Sequence, residues 1–161
     1  MTRTGVTLGL LGCLAAGGLH AQGRSLVFES GLHLTLMTSA NSGMTPLLVG
    51  FRVALRTTGA TRITASGGTG LLKMGSTARG ELAAEYLLAP RAAGRVEVYV
   101  GGGIAGVIGE GHGQFLLAYV GIEKSPGLKS GWALEAGMGG GFRLRAAWHW
   151  RKFPAGWQPA K

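Results

Sequence analysis

Thirteen side chains in this sequence combine charge with regular spacing, and what they could do is the first question. Glu29, Glu81, Glu85, Glu97, Glu123 and Glu135 are six of its seven acidic residues, and there is no Asp. Arg52, Arg56, Arg62, Arg79, Arg143, Arg145 and Arg151 are the matching cations. Such groups can move protons, hold a metal ion, grip a phosphate or pair with one another. Nucleophilic catalysis needs a nucleophile with a positioned base and an orienting group. His149 stands between Trp148 and Trp150 with no Ser two residues away. His33 has Thr35 on its own face, a weak substitute for a nucleophile, so no catalytic residue is assigned. His33, His112 and His149 are scattered, which gives neither a metal site nor a cofactor site. "GGGIAG" (101–106) lacks the Lys-Ser/Thr and the helix of a phosphate loop. Mutual pairing is then the chemistry to expect.

The elements around these residues follow from their period. After the first two dozen residues no helical period persists. Alternating runs broken by Gly, Ser and Pro appear instead, at 25–37, 47–57, 61–72, 78–88, 95–108, 114–124, 130–138 and 142–152. Short connections make neighbouring runs antiparallel hairpins. Eight up-and-down strands can close into a barrel with no free edge. The fold class expected is all-β, an eight-stranded antiparallel barrel. Successive strand residues point to opposite faces. In "LLVGFRVALR" this sets Leu47, Val49, Phe51, Val53 and Leu55 against Arg52 and Arg56. All thirteen charged residues fall on the non-apolar face of their strands. Run six is ambiguous, because Phe115 and Leu117 share a face with Tyr119 and Glu123.

Two closed barrels fit this pattern. A soluble barrel turns its apolar face inward, whereas a membrane barrel turns it to lipid. Three features favour lipid. The polar face uses Arg and Glu with hardly any Lys, which suits buried bidentate pairing. Much of that face is Gly or Ala, which suits a crowded lumen. If the first strand starts at the periplasmic side, Phe28, Tyr86, Trp132, Trp148 and Trp150 gather at one rim of the apolar face. Rings prefer that headgroup level. The thirteen charged residues then form a lumen network. A turn centred on Gly139–Gly141 places Glu135 opposite Arg145, and the same rule brings Arg56 near Arg62 and Glu85 near Glu97. A ring of charge including Glu29, Glu123 and Arg151 is expected in the periplasmic half, plugging the barrel.

The N-terminus "MTRTGVTLGLLGCLAAGGLHAQG" has the form of a secretory leader, with cleavage after Ala21. Residues 22–153 then form the barrel domain and 154–161 a short tail. The single cysteine, Cys13, lies in the leader, so disulfides are excluded from the exported chain. Losing Arg3 leaves 15 basic and 7 acidic residues. The unbalanced positive charge collects at the periplasmic end, in Arg24, Arg91, Arg95, Lys124, Lys129, Lys152 and Lys161. There it would meet anionic headgroups or another envelope component, either a protein or the cell wall. Nucleic acid is disfavoured, because glutamates balance the lumen arginines.

The whole exported chain resembles, in pattern, the small eight-stranded outer-membrane barrels of the OmpA/OmpX type. The last strand, with Trp148 and Trp150, is similar to the terminal aromatic strand of those proteins. The chain departs from them by continuing through "RKFPAGWQPAK". The resemblance implies a bacterial outer-membrane location, outer-membrane lipids as partners, and a structural or accessory role or a narrow, porin-like pore. The competing readings are a soluble periplasmic or secreted barrel that binds an apolar ligand, and a lipid-modifying enzyme of the same envelope.

Overall fold

In the computed structural model, residues 26–38, 47–57, 59–72, 75–109 and 112–160 are described. The expected leader, with Cys13 and Arg24, lies outside them, as does Lys161. Eight strands run in chain order: β1 (Val27–Met37), β2 (Leu47–Arg56), β3 (Thr61–Leu72), β4 (Gly75–Leu87), β5 (Val96–Gly109), β6 (Gly113–Lys124), β7 (Ser130–Met138) and β8 (Phe142–Lys152). Each pairs antiparallel with the next, and β1 pairs with β8, closing the barrel. No helix occurs among the described residues. The ends of the strands differ from the sequence reading by three residues or fewer.

Closure satisfies every edge, and strict alternation decides what lies inside. β8 reads exposed–buried along its full length, with Arg143, Arg145, His149 and Arg151 buried and Leu144, Trp148 and Trp150 exposed. β1 does the same with Glu29, His33 and Thr35 inside and Phe28, Leu32 and Leu34 outside. In β6 Leu117, Tyr119 and Glu123 are buried while Leu116, Val120 and Ile122 are exposed, which resolves the ambiguity of that run.

The connections set the register. β7 and β8 join through Gly139–Gly141, where Gly140 and Gly141 have φ of 80° and 136°. These are conformations that L side chains rarely adopt. That tight turn puts Glu135 directly across from Arg145, and the β2–β3 turn puts Arg56 across from Arg62. The β4–β5 connection is longer and contains Gly94 at φ 76°. It slides β5 so that Glu85 faces Gly101, while Glu97 faces Glu123. The expected approach of Glu85 to Glu97 is therefore wrong. The symmetric turn assumed for that hairpin does not form.

The end of the barrel where β1 begins is called the lower end. The chain after β8 folds back across it. Phe153 and Trp157 stack with centroids 4.6 Å apart, and the Trp157 indole donates to the Gly127 carbonyl at 3.1 Å. Ala160 donates to the Arg91 carbonyl at 2.8 Å. Residues 154–160 of the expected tail thus form a cap over the lower mouth.

Candidate functional site

The lumen is the site, because the strands aim the charged residues at one another. Among the described residues, seven arginines and five glutamates are buried there, an excess of two positive charges. Glu97 is the exception. It has lumen parity but sits near the lower exit of β5 and is half-exposed. The expected single ring is two clusters, linked through a central carboxylate.

Glu85 is that link. It accepts two hydrogen bonds from Arg52 (2.6 and 2.8 Å) and pairs with Arg62, and Tyr119 donates its hydroxyl to it. Below it, Glu29 and Glu123 bind Arg56, Arg62 and Arg151. Arg62 Nη1 lies 3.0 Å from Glu29 and 2.8 Å from Glu123. Arg56 is 3.2 Å from Glu29, and Arg151 pairs with Glu123. The positive excess here meets further partners. Arg56 donates to the Pro126 carbonyl at 2.9 Å and lies over the Phe153 and Trp157 rings of the cap. Arg151 donates to the Leu128 carbonyl at 3.1 Å. Arg62 lies over the Tyr99 ring.

In the upper cluster, Glu81 holds three guanidiniums: Arg79 at 2.6 Å, Arg145 at 2.7 Å and Arg143 at 3.0 Å. Glu135 holds Arg52 at 2.7 Å and Arg143 at 2.8 Å, and accepts the Tyr99 hydroxyl at 2.8 Å. Glu135 and Arg145 do approach, at 3.7 Å, but each has a closer partner elsewhere around the lumen. Two partners of the network, Tyr99 and Tyr119, are not among the thirteen residues expected, although Tyr99 shares the face of Glu97 and Tyr119 that of Glu123. Each ring fills a glycine position across the hairpin, Tyr119 opposite Gly101 and Tyr99 opposite Gly121. A methyl at either glycine would overlap the ring.

The catalytic and metal arrangements can now be weighed against geometry. Thr35 Oγ1 lies 3.2 Å from His33 Nδ1, as a nucleophile and base would. Both are buried, Arg145 donates to the same hydroxyl at 2.9 Å, and His33 Nε2 has no hydrogen-bond partner among the described residues to orient it. Ligand atoms of Glu29, Glu123 and His149 fall within 4.8 Å of one another. Those carboxylates already carry three guanidiniums, whose charge would repel a metal cation. His112 is exposed at the upper end.

The outer surface is the complement of the lumen. Leu116 is 85% exposed, Phe51 62% and Leu55 53%, while Arg56 and Arg143 are fully enclosed. Phe28, Tyr86, Trp148 and Trp150 stand exposed in the lower half of this surface, and Trp132, beside Trp148, is half-buried. Arg91, Arg95, Lys124, Lys129 and Lys152 are exposed around the lower mouth.

Among solved structures, the chain is similar to the de novo designed TMB2.3, determined by solution NMR. The TM-score is 0.58, the identity is 13%, and the match covers 83% of this chain and 100% of that one. At that identity the likeness speaks for the fold. No protein-family model and no curated protein matches the sequence.

Proposed function

We propose that this protein is a small integral barrel of the bacterial outer membrane, with a structural or accessory role and no enzymatic activity. One observation carries the reading: charge is buried and large apolar side chains are exposed around the wall, from Phe51 and Leu55 to Leu116 and Leu144. Water would make that arrangement costly, at about 25 cal/mol per Å² of apolar surface left wet. Lipid reverses the sign. The likeness to a designed transmembrane barrel supports the architecture. The exposed rings near the lower rim and the basic residues around the lower mouth suit an interface with headgroups. This makes outer-membrane lipids the partner and the lower end the periplasmic one. Another envelope protein or the cell wall could meet the same basic end. Export would use the leader at 1–21.

The ion pairs cross the lumen, so the barrel is filled, and conductance is expected to be absent. An apolar ligand would find a charged interior, which disfavours the soluble-barrel reading. Fractionation tests the proposal. Recovery in the outer-membrane fraction, with detergent needed for extraction and heat-modifiable migration on a gel, is expected. Recovery of folded protein in the soluble fraction would defeat it.

A further inference from the structure

The cap and the end of the wall border an open groove of about 640 Å³ at the lower rim, lined among others by Leu128, Lys129, Lys152, Phe153 and Trp157. That size suits an organic headgroup better than a single ion. Its sides are already set. Phe153 stacks on Trp157, and the Trp157 indole donates to the Gly127 carbonyl at 3.1 Å. The end of the cap is tied down where Ala160 donates to the Arg91 carbonyl. The Arg151 backbone N–H donates to the Lys129 carbonyl at 2.7 Å, so Lys129 lies across from Arg151 and diagonal to Lys152.

The groove is positive, and no acidic residue lines it among the described residues. Arg151 also lines it, but its guanidinium pairs with Glu29 and Glu123 in the lumen. Lys129 and Lys152 are exposed, and their ammonium groups have no ion-pair or hydrogen-bond partner among the described residues. Lys152 has the parity of Trp148 and Trp150, so it ends the outer face of β8 below two rings. Leu128, which is 40% exposed, adds apolar surface to the same groove. Two unpaired ammonium groups beside an apolar wall match a molecule with an anionic head and hydrocarbon chains. We propose that this groove binds one anionic phospholipid, its phosphate between Lys129 and Lys152 and its chains against Leu128 and Trp150. Lysine binds phosphate as a point charge, and the headgroup layer strengthens that attraction. The site rests on the membrane reading above and makes the lower rim selective for one class of lipid.

The test is native mass spectrometry of folded protein in a non-ionic detergent at fixed ionic strength. The protein is titrated separately with phosphatidylglycerol, phosphatidylcholine and glycerophosphoglycerol, the deacylated head of the first. One phosphatidylglycerol adduct should saturate before any other, with an affinity about tenfold or more above that of phosphatidylcholine. The free head should bind about tenfold or more below the intact lipid, because it lacks the chains. Lys129→Gln and Lys152→Gln should each weaken the first adduct about fivefold. Lys124→Gln, a rim cation on β6 outside the groove, should weaken it by less than about twofold. Heat-modifiable migration verifies that each variant is folded. Equal affinity for the two lipids would overturn the proposal. So would equal losses in Lys152→Gln and Lys124→Gln, which would mean a diffuse rim charge. Equal affinity for the free head would give the groove to a soluble phosphate ester and overturn the lipid assignment. Fractionation decides the membrane reading separately: a protein that needs detergent but shows no lipid preference loses the site and keeps the membrane.

Discussion

The lower and upper halves of the lumen are built from the same two residue types, yet they end differently. Leaving Arg52 and Glu85 to bridge them, each half sets three arginines against two glutamates. Below, the spare charge is absorbed. The Pro126 and Leu128 carbonyls accept from Arg56 and Arg151, and the stacked Phe153 and Trp157 cover Arg56. Above, Arg145 finds the Thr35 hydroxyl and Arg143 the Tyr119 ring, but the outer edge of Arg79 has no hydrogen-bond partner among the described residues. A buried charge costs little only when its hydrogen-bonding groups are met. Each lower arginine has a carboxylate together with a ring or a carbonyl beside it, although Arg56 Nη1, Arg62 Nη2 and Arg151 Nε make no hydrogen bond among the described residues. The upper half leaves one guanidinium edge, that of Arg79, with neither a hydrogen bond nor a ring among the described residues.

The largest test of this comparison is the bridge itself. Glu85→Ala leaves Arg52 with Glu135 alone, takes one of three carboxylates from Arg62, and removes the acceptor of the Tyr119 hydroxyl. Breaking a buried pair costs about 3–5 kcal/mol. Denaturant unfolding in detergent should show at least that loss, or no folded band at all. A loss under about 1 kcal/mol would mean that the halves stand independently of the bridge.

Next come two matched deletions. Arg56→Met leaves Glu29 short of a partner and should cost about 3 kcal/mol by the same reasoning. Arg79→Met removes two donors without hydrogen bonds and one of the three guanidiniums on Glu81, which keeps Arg143 and Arg145, so stability should change by less than about 1 kcal/mol. Equal losses in the two variants would erase the distinction between the ends.

Smaller effects refine the packing. Gly101→Ala drives a methyl into the Tyr119 ring and should cost about 1–3 kcal/mol through overpacking. A smaller effect than at Gly101 is expected at the cap, where Trp157→Ala removes a ring from Arg56 and Arg91 and should cost about 0.5–2 kcal/mol. The same unfolding measurement ranks all five sites, and a cap variant more damaging than Gly101→Ala would reverse the order.

How much of this could be read from the residues alone follows from the range of each interaction. Parity is local, so the burial of Glu29, Arg62 and Arg145 was visible in alternation. Register across a tight turn is nearly local, which is why Glu135 opposite Arg145 and Arg56 opposite Arg62 could be counted from the turn. The β4–β5 connection defeated that count, because its length and the backbone at Gly94 shift the pairing and leave Glu97 near the rim. The pairs that matter most, such as Arg52 with Glu135 and Arg143 with Glu81, cross the lumen. They depend on closure and strand stagger, and no spacing in the sequence encodes them. Tyr99 and Tyr119 could have been found from a glycine opposite each ring in the β5–β6 hairpin. The return of Phe153 and Trp157 to the lower mouth had a weaker signal, two rings and a turn after the last strand.

The central claim is that the barrel is apolar outside and charged within, with lipid against its wall. A nitroxide at Leu116→Cys, in a Cys13→Ser background reconstituted in vesicles, tests it most directly, because Leu116 is 85% exposed on the outer face of β6. Collision with dissolved oxygen should be frequent and collision with a water-soluble nickel chelate rare, as for a label in hydrocarbon. Frequent collision with the chelate would place that wall in water and contradict the account.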